Sequence, residues 1–134
     1  MIEPAPLQAT ADGWRPVLRA LIEAVLAFDH PAFPAVGVEQ VERALLRDFS
    51  LVGESGAAFR AGLATFADGF AAQAGDGAQF AAAPLAARRA FLRCWARSEA
   101  PAQRRFYASV KAMVLITAYG LPALGRAIGH EGPR

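Results

Sequence analysis

The residue types that most often carry chemistry are few in this chain and lie far apart. There are two histidines, His30 and His130, which stand a hundred positions apart in segments flanked by proline or glycine. A metal site made from these two would lack a stated third ligand, whereas protein zinc sites use three or four. We therefore predict no metal site, and we expect His30 to pack or to cap its loop.

Other catalytic patterns are equally weak in the sequence. The single cysteine, Cys94, lies mid-helix, and the general tendency of free cysteines predicts a small buried residue, not a reactive thiol. No serine has a base nearby in sequence, and no carboxylate pair falls on an inward helix face. The turn 75–77 is not a phosphate loop, because no Gly-Lys-Ser/Thr ending follows it. We expect a non-catalytic chain with no cofactor of its own.

Composition and charge set further bounds. With 134 residues, 54% of them hydrophobic and 19% charged, the chain is long enough and apolar enough for one buried core. Residues 1–80 carry five arginines against ten acids, a net charge of −5. Residues 81–134 carry eight arginines and Lys111 against two acids, a net charge of +7. The simplest interpretation is that these charges lie on solvated helix faces within one fold.

Hydrophobic spacing predicts five helices, at about 13–28, 37–52, 55–74, 84–98 and 101–121, and no strand pattern is present. Their apolar stripes are Trp14, Leu18, Leu21, Val25 and Phe28; Val38, Val41, Leu45 and Phe49; Phe59, Leu63, Phe66 and Phe70; Leu85, Phe91, Leu92 and Trp95; and Phe106, Val110, Met113, Val114 and Thr117. We predict an all-α single-domain helical bundle over residues 1–134. Residues 1–12 would form a flexible arm and the C-terminus a glycine-rich tail.

Charged-residue spacing and one glycine add detail to the first two predicted helices. Arg19–Glu23 and Glu39–Arg43 are spaced as ion pairs one helical turn apart, and Gly53 is placed to end the second helix.

The last helix and its tail, 103–133, stand out as the stretch around which the chain is organised. Its segment 112–121 has almost no polar residue, which predicts a helix enclosed by its own domain or partly by a partner. The longest uncharged run, 112–125, has about fourteen residues, whereas a membrane span needs about twenty. We therefore predict no membrane span.

Arginines on the fourth helix predict a basic patch. Arg89, Arg93 and Arg97 recur every four positions on one exposed edge, and the patch is completed by Arg88, Arg104 and Arg105. Nucleic-acid binding is not favoured, because the aromatic residues fall at core spacing instead of alternating with the basic ones. A nucleic-acid-binding module and a stand-alone helical ligand-binding or regulatory domain remain as alternative functions.

Three segments resemble a known family. These are Arg105-Phe106-Tyr107-Ala108-Ser109-Val110-Lys111, Tyr119-Gly120-Leu121-Pro122 and Ile128-Gly129-His130-Glu131-Gly132-Pro133. They look like the small helical subunit of membrane-associated sugar dehydrogenases, gluconate 2-dehydrogenase subunit 3, and segment 80–92 is similar to an upstream region of it. The chain departs from the family at His130, where tyrosine is usual, and in having no twin-arginine signal.

The resemblance implies a non-catalytic accessory subunit that binds and stabilises a large FAD-dependent alcohol or sugar dehydrogenase of the glucose–methanol–choline type. FAD would then be held by the partner and none by this chain. The residues expected to bind the partner are Arg104, Arg105, Tyr107, Lys111, Tyr119, Gly129, His130, Glu131, Gly132 and Pro133. Since the N-terminal segment has no export signal, we expect a cytoplasmic chain, and a periplasmic one only if it is exported with a partner.

Overall fold

Five α-helices make up the part of the chain that the structure describes. The computed structural model describes residues 13–29, 37–75 and 77–121. The helices are α1 (Trp14–Asp29), α2 (Val38–Asp48), α3 (Ala57–Ala74), α4 (Leu85–Ala96) and α5 (Pro101–Tyr119), with 3₁₀ turns at Glu54–Gly56 and Phe80–Ala82. The described ranges contain no strand and share one hydrophobic core, which confirms the predicted all-α single-domain bundle. The predicted N-terminal arm and the glycine-rich tail lie outside these ranges.

The end of α2 differs from the prediction. The helix ends at Asp48, well before Gly53, because Ser50 takes a left-handed conformation with φ 53°. The backbone N–H of Leu51 then donates to the carbonyl of Leu46, which is the bond of a Schellman C-cap. Leu51 is only 3% exposed, so the early stop directs this side chain into the core.

The helix at the centre of the fold is α1 and not the predicted C-terminal stretch. It packs against each of the other four helices. Its buried residues include Leu21, Ile22, Ala24, Val25 and Leu26, and neighbours on a helix point about 100° apart. Burial on α1 is therefore wider than the one predicted face and, among its described side chains, leaves out only the strip that holds Arg15, Pro16, Arg19 and Glu23. Four residues of that face are buried, and the side chain of the fifth, Phe28, lies outside the described residues.

An aromatic cluster joins α3, α4 and α5. The ring of Phe66 on α3 lies 4.8 Å from Phe80, 5.0 Å from Phe91, 4.8 Å from Trp95 and 5.8 Å from Phe106, measured between centroids. Three of these pairs are edge-to-face, the geometry that aromatic rings prefer in cores. The α3 stripe predicted from sequence is thus a core stripe.

Gly62 allows α5 to lie close to α3. A Cβ atom at this position would stand 2.8 Å from Cε1 of Phe106, well inside van der Waals contact. The absence of a side chain at Gly62 is therefore what gives the Phe106 ring its place beside Phe66.

Ion pairs between helices replace the pairs predicted within helices. Arg19 on α1 donates from Nε (2.9 Å) and Nη2 (2.8 Å) to Oε1 of Glu42 on α2, whose side chain is buried. Glu23 instead lies 3.0 Å from Nη1 of Arg88 on α4. Glu39 lies 3.9 Å from Arg19 and does not pair with Arg43. These charges tie α1 to its neighbours, because a carboxylate buried at an interface needs a partner there.

Arg60 on α3 ties down the loop that follows α2. Its Nη1 donates to the carbonyl oxygens of Leu51 (2.6 Å), Val52 (3.0 Å) and Gly53 (2.7 Å). The same guanidinium lies 5.8 Å from the ring centroid of Trp14. One side chain thus links α3, the loop and the first turn of α1.

Candidate protein-docking face

The residues considered for chemistry are not brought together in the described part of the chain. His30 and His130 lie outside it. Cys94 is exposed on α4, which corrects the predicted burial: the inward positions of that helix are taken by Phe91, Leu92 and Trp95. Within the described ranges, no group of three or more His, Cys, Asp or Glu side chains is arranged to hold a metal ion.

The predicted basic patch is smaller than its sequence spacing indicated. Arg88 is 8% exposed, because α4 turns it toward α1, where Nη1 donates to the carbonyl of Ala20 at 2.8 Å. Its Nε donates to the carbonyl of Ala83 at 3.0 Å. Arg93 and Arg97 are exposed and Arg89 is half-buried. Arg88 is therefore a structural residue, and the surface arginines of α4 begin at Arg89.

The predicted site residues that the structure describes lie on α5. The inner face of this helix is buried through Val110, Val114, Thr117 and Ala118. Opposite lies what we call the α5 outer face, formed by exposed residues: Arg104, Arg105, Lys111, Ala112, Ile116 and Tyr119. Ile116 is 65% exposed and Tyr119 is 54% exposed. Within the described residues, α5 is therefore buried along its inner face and exposed along its outer face, so the whole of 112–121 is not enclosed as the prediction had allowed.

Charge and apolar surface are separated along the α5 outer face. Its first half carries Arg104, Arg105 and Lys111, whereas 112–121 contains no charged residue. Arg104 donates from Nη1 to the carbonyl of Ser98 at 2.6 Å, which fixes its guanidinium near the start of the helix. No ion pair joins Arg105 or Lys111 to a carboxylate of the described residues. The face is thus basic at one end and apolar at the other.

The two predicted tyrosines occupy different positions on α5. Tyr107 is half-buried against the core, whereas Tyr119 is exposed. Twelve residues separate them, which places them about a third of a turn apart around the helix. The remaining predicted residues, Gly129, His130, Glu131, Gly132 and Pro133, lie outside the described residues.

Two residues of this face were not predicted, Ala112 and Ile116. Both belong to the run that the sequence suggested was enclosed. Their exposure could have been predicted from the helical positions of Arg104, Arg105 and Lys111. At 100° per residue these three mark an outward sector that also includes Ala112 and borders Ile116.

The grooves between α1 and α2 are open and lined mostly by charged residues. One, of about 450 Å³ between α1 and α2, is lined by Arg15, Pro16, Arg19, Glu39, Glu42, Arg43 and Leu46. Five of its residues are charged, and Arg19 and Glu42 bind each other. The ligand-binding alternative requires a closed pocket lined mainly by apolar side chains, whereas this groove is open and lined mainly by charged ones.

Among the described helices, none combines the length and the apolar character that crossing a lipid bilayer requires. Comparisons with protein-family models, with curated proteins and with solved structures give no match for this chain.

Proposed function

We propose that this chain is a non-catalytic small accessory subunit, which binds and stabilises a large FAD-dependent alcohol or sugar dehydrogenase through the α5 outer face. The proposal starts from the resemblance of segments 105–111, 119–122 and 128–133 to the gluconate 2-dehydrogenase subunit 3 family. The partner would hold FAD and carry out the oxidation. This chain would contribute a rigid helical surface.

The observation that carries the proposal is the exposure of Ile116, at 65%, beside Tyr119, at 54%, on one helix. Exposed apolar patches with a polar rim are typical of contact surfaces, and the charged residues of this helix lie to one side of the pair, at 104–111. Both lie on the helix that contains the resembling segment 105–111. Covering one isoleucine fully contributes about 1.5–3 kcal/mol, so a few such residues are a useful part of an interface.

The inner face of α5 supports the same role. Val110 and Val114 are 1% and 0% exposed, and the Phe106 ring lies in the aromatic cluster. Pro101 occupies the first turn, where its fixed φ suits a helix start. The outer face is therefore presented by a helix whose position is fixed, which lowers the entropic cost of docking.

Co-expression with the large flavoprotein encoded beside this chain tests the proposal. We expect the two proteins to purify together, and the FAD content and solubility of the large subunit to fall when the small one is omitted. Separate purification, with a large subunit that folds and binds FAD fully by itself, would contradict the proposal.

One variant on the α5 outer face and one matched control show whether co-purification depends on that face. Ile116→Asp is expected to abolish co-purification, because a carboxylate on the apolar end would be buried without a partner. Val52→Asp serves as the control, since Val52 is also 54% exposed but lies in the loop after α2.

A further inference from the structure

We propose that the α5 outer face recognises a complementary protein surface, with carboxylates facing its basic end and an apolar ridge facing its apolar end. This inference rests on the proposed function and deepens it, because it states the chemistry of the partner's contact surface. It also assigns a different task to each end of the helix. The basic end accelerates association, and the apolar end slows dissociation.

The charge distribution argues for an acidic partner surface. Arg105 and Lys111 are exposed cations that pair with no carboxylate of the described residues. The one acid on α4, α5 and their connection within the described ranges is Glu99, in the turn before α5. A surface with an excess of one sign attracts the opposite sign over several ångströms, and this steering raises association rates.

The second half of the face argues for a close apolar contact. From Lys111 onward the exposed positions are Ala112, Ile116 and Tyr119, which are spaced at about one helical turn. Ala112 projects little beyond the backbone, so a partner ridge can approach the helix beside the larger Ile116. Once water is excluded there, separation must re-expose the apolar area, and the complex dissociates slowly.

The same features favour a protein over a nucleic acid. Two of the six arginines of the predicted patch donate to main-chain carbonyls: Arg88 to Ala20 and Ala83, and Arg104 to Ser98. Those guanidinium groups are already occupied in part by backbone oxygens. The cations also border exposed Ile116 and Tyr119, and phosphate groups give such apolar side chains no favourable contact.

Binding kinetics on the immobilised large flavoprotein subunit, measured at several salt concentrations, test both assignments. Arg105→Ala/Lys111→Ala is expected to lower the association rate about tenfold at low salt and to flatten its salt dependence, with dissociation within about twofold. Ile116→Ala is expected to speed dissociation about tenfold, with association nearly unchanged. Arg43→Ala on α2 and Val52→Ala in the loop after α2 are the matched controls, and neither should alter either rate.

The outcomes separate this inference from the proposed function. If the wild-type chain does not bind the flavoprotein, the proposed function is wrong. If it binds and the α5 variants bind like wild type, docking uses another surface: this inference is wrong, together with the placement of the contact on α5, whereas the role as an accessory subunit stands. If duplex DNA binds the chain with a salt sensitivity that Arg105→Ala/Lys111→Ala removes and Ile116→Ala leaves unchanged, the face is a nucleic-acid site and the inference is overturned.

Discussion

Helices α1 and α5 have similarly apolar segments but opposite positions in the molecule. α1 carries charged residues, Arg19 and Glu23, and yet is buried except for the strip that holds them, and both charges pair with neighbouring helices. α5 carries no charged residue from 112 to its end at Tyr119 and yet exposes Ile116 and Tyr119. Apolar composition alone therefore does not tell which helix is central. What decides is how many other helices surround it and whether its charges find partners there.

The largest expected difference comes from the same substitution in each helix. Ile22 on α1 is 0% exposed, so Ile22→Ala is expected to lower the free energy of unfolding by about 2–5 kcal/mol through lost burial and a cavity. Ile116→Ala on α5 should change it by about 0.5 kcal/mol or less. Urea unfolding followed by circular dichroism measures both, and equal losses would contradict the assignment of α1 as the central helix.

A smaller effect is expected where α4 is tied to α1. Arg88→Met keeps much of the side-chain volume but removes the hydrogen bonds to the carbonyls of Ala20 and Ala83 and the ion pair with Glu23. We expect a loss of about 2 kcal/mol in unfolding free energy, mainly from the two buried hydrogen bonds, because Glu23 is partly exposed and screened.

Arg97→Met is the control for that loss, since Arg97 is exposed at the C-cap of α4 and its replacement should be nearly neutral. A loss at Arg97 as large as that at Arg88 would mean that the buried tie to α1 is not what stabilises α4.

The smallest expected effect concerns the packing of α5 against α3. Here the test is whether alanine in place of a glycine on α3 raises or lowers the stability. Gly62→Ala would place a Cβ atom 2.8 Å from Cε1 of Phe106, so it is expected to destabilise by about 1 kcal/mol even though alanine favours the helix. At Gly69 on the same helix the nearest atom would be 3.6 Å away. Gly69→Ala is therefore expected to stabilise by about 0.5–1 kcal/mol. Thermal unfolding of both variants checks this, and equal shifts would contradict close packing at Gly62.

The sequence predicted those features that depend on local spacing. The number of helices, their approximate bounds and the inward residues of α3 follow from a period of 3.6 residues, and the structure confirms them. The exposure of Arg105 also follows from this period, since it falls on the side of α5 opposite Val110, Val114 and Ala118.

Features that depend on distant contacts were missed for a physical reason. Arg88 has a spacing compatible with the exposed row at Arg89, Arg93 and Arg97, and its burial depends on a carbonyl of α1, 68 positions away. The early end of α2 depends on the burial of Leu51 and not on Gly53. The wide burial of α1 depends on four other helices, and no window of sequence contains them. The role of the α5 outer face as a docking surface stays a prediction.

The central position of α1 also has a consequence for the growing chain on the ribosome. α1 is the first of the described helices to be synthesised, and the segment that carries Phe106 follows more than seventy residues later. At ordinary synthesis rates that interval is on the order of ten seconds. During it, Leu18, Leu21 and Ile22 lack part of their eventual cover, so the nascent polypeptide offers a binding site for chaperones that recognise apolar segments.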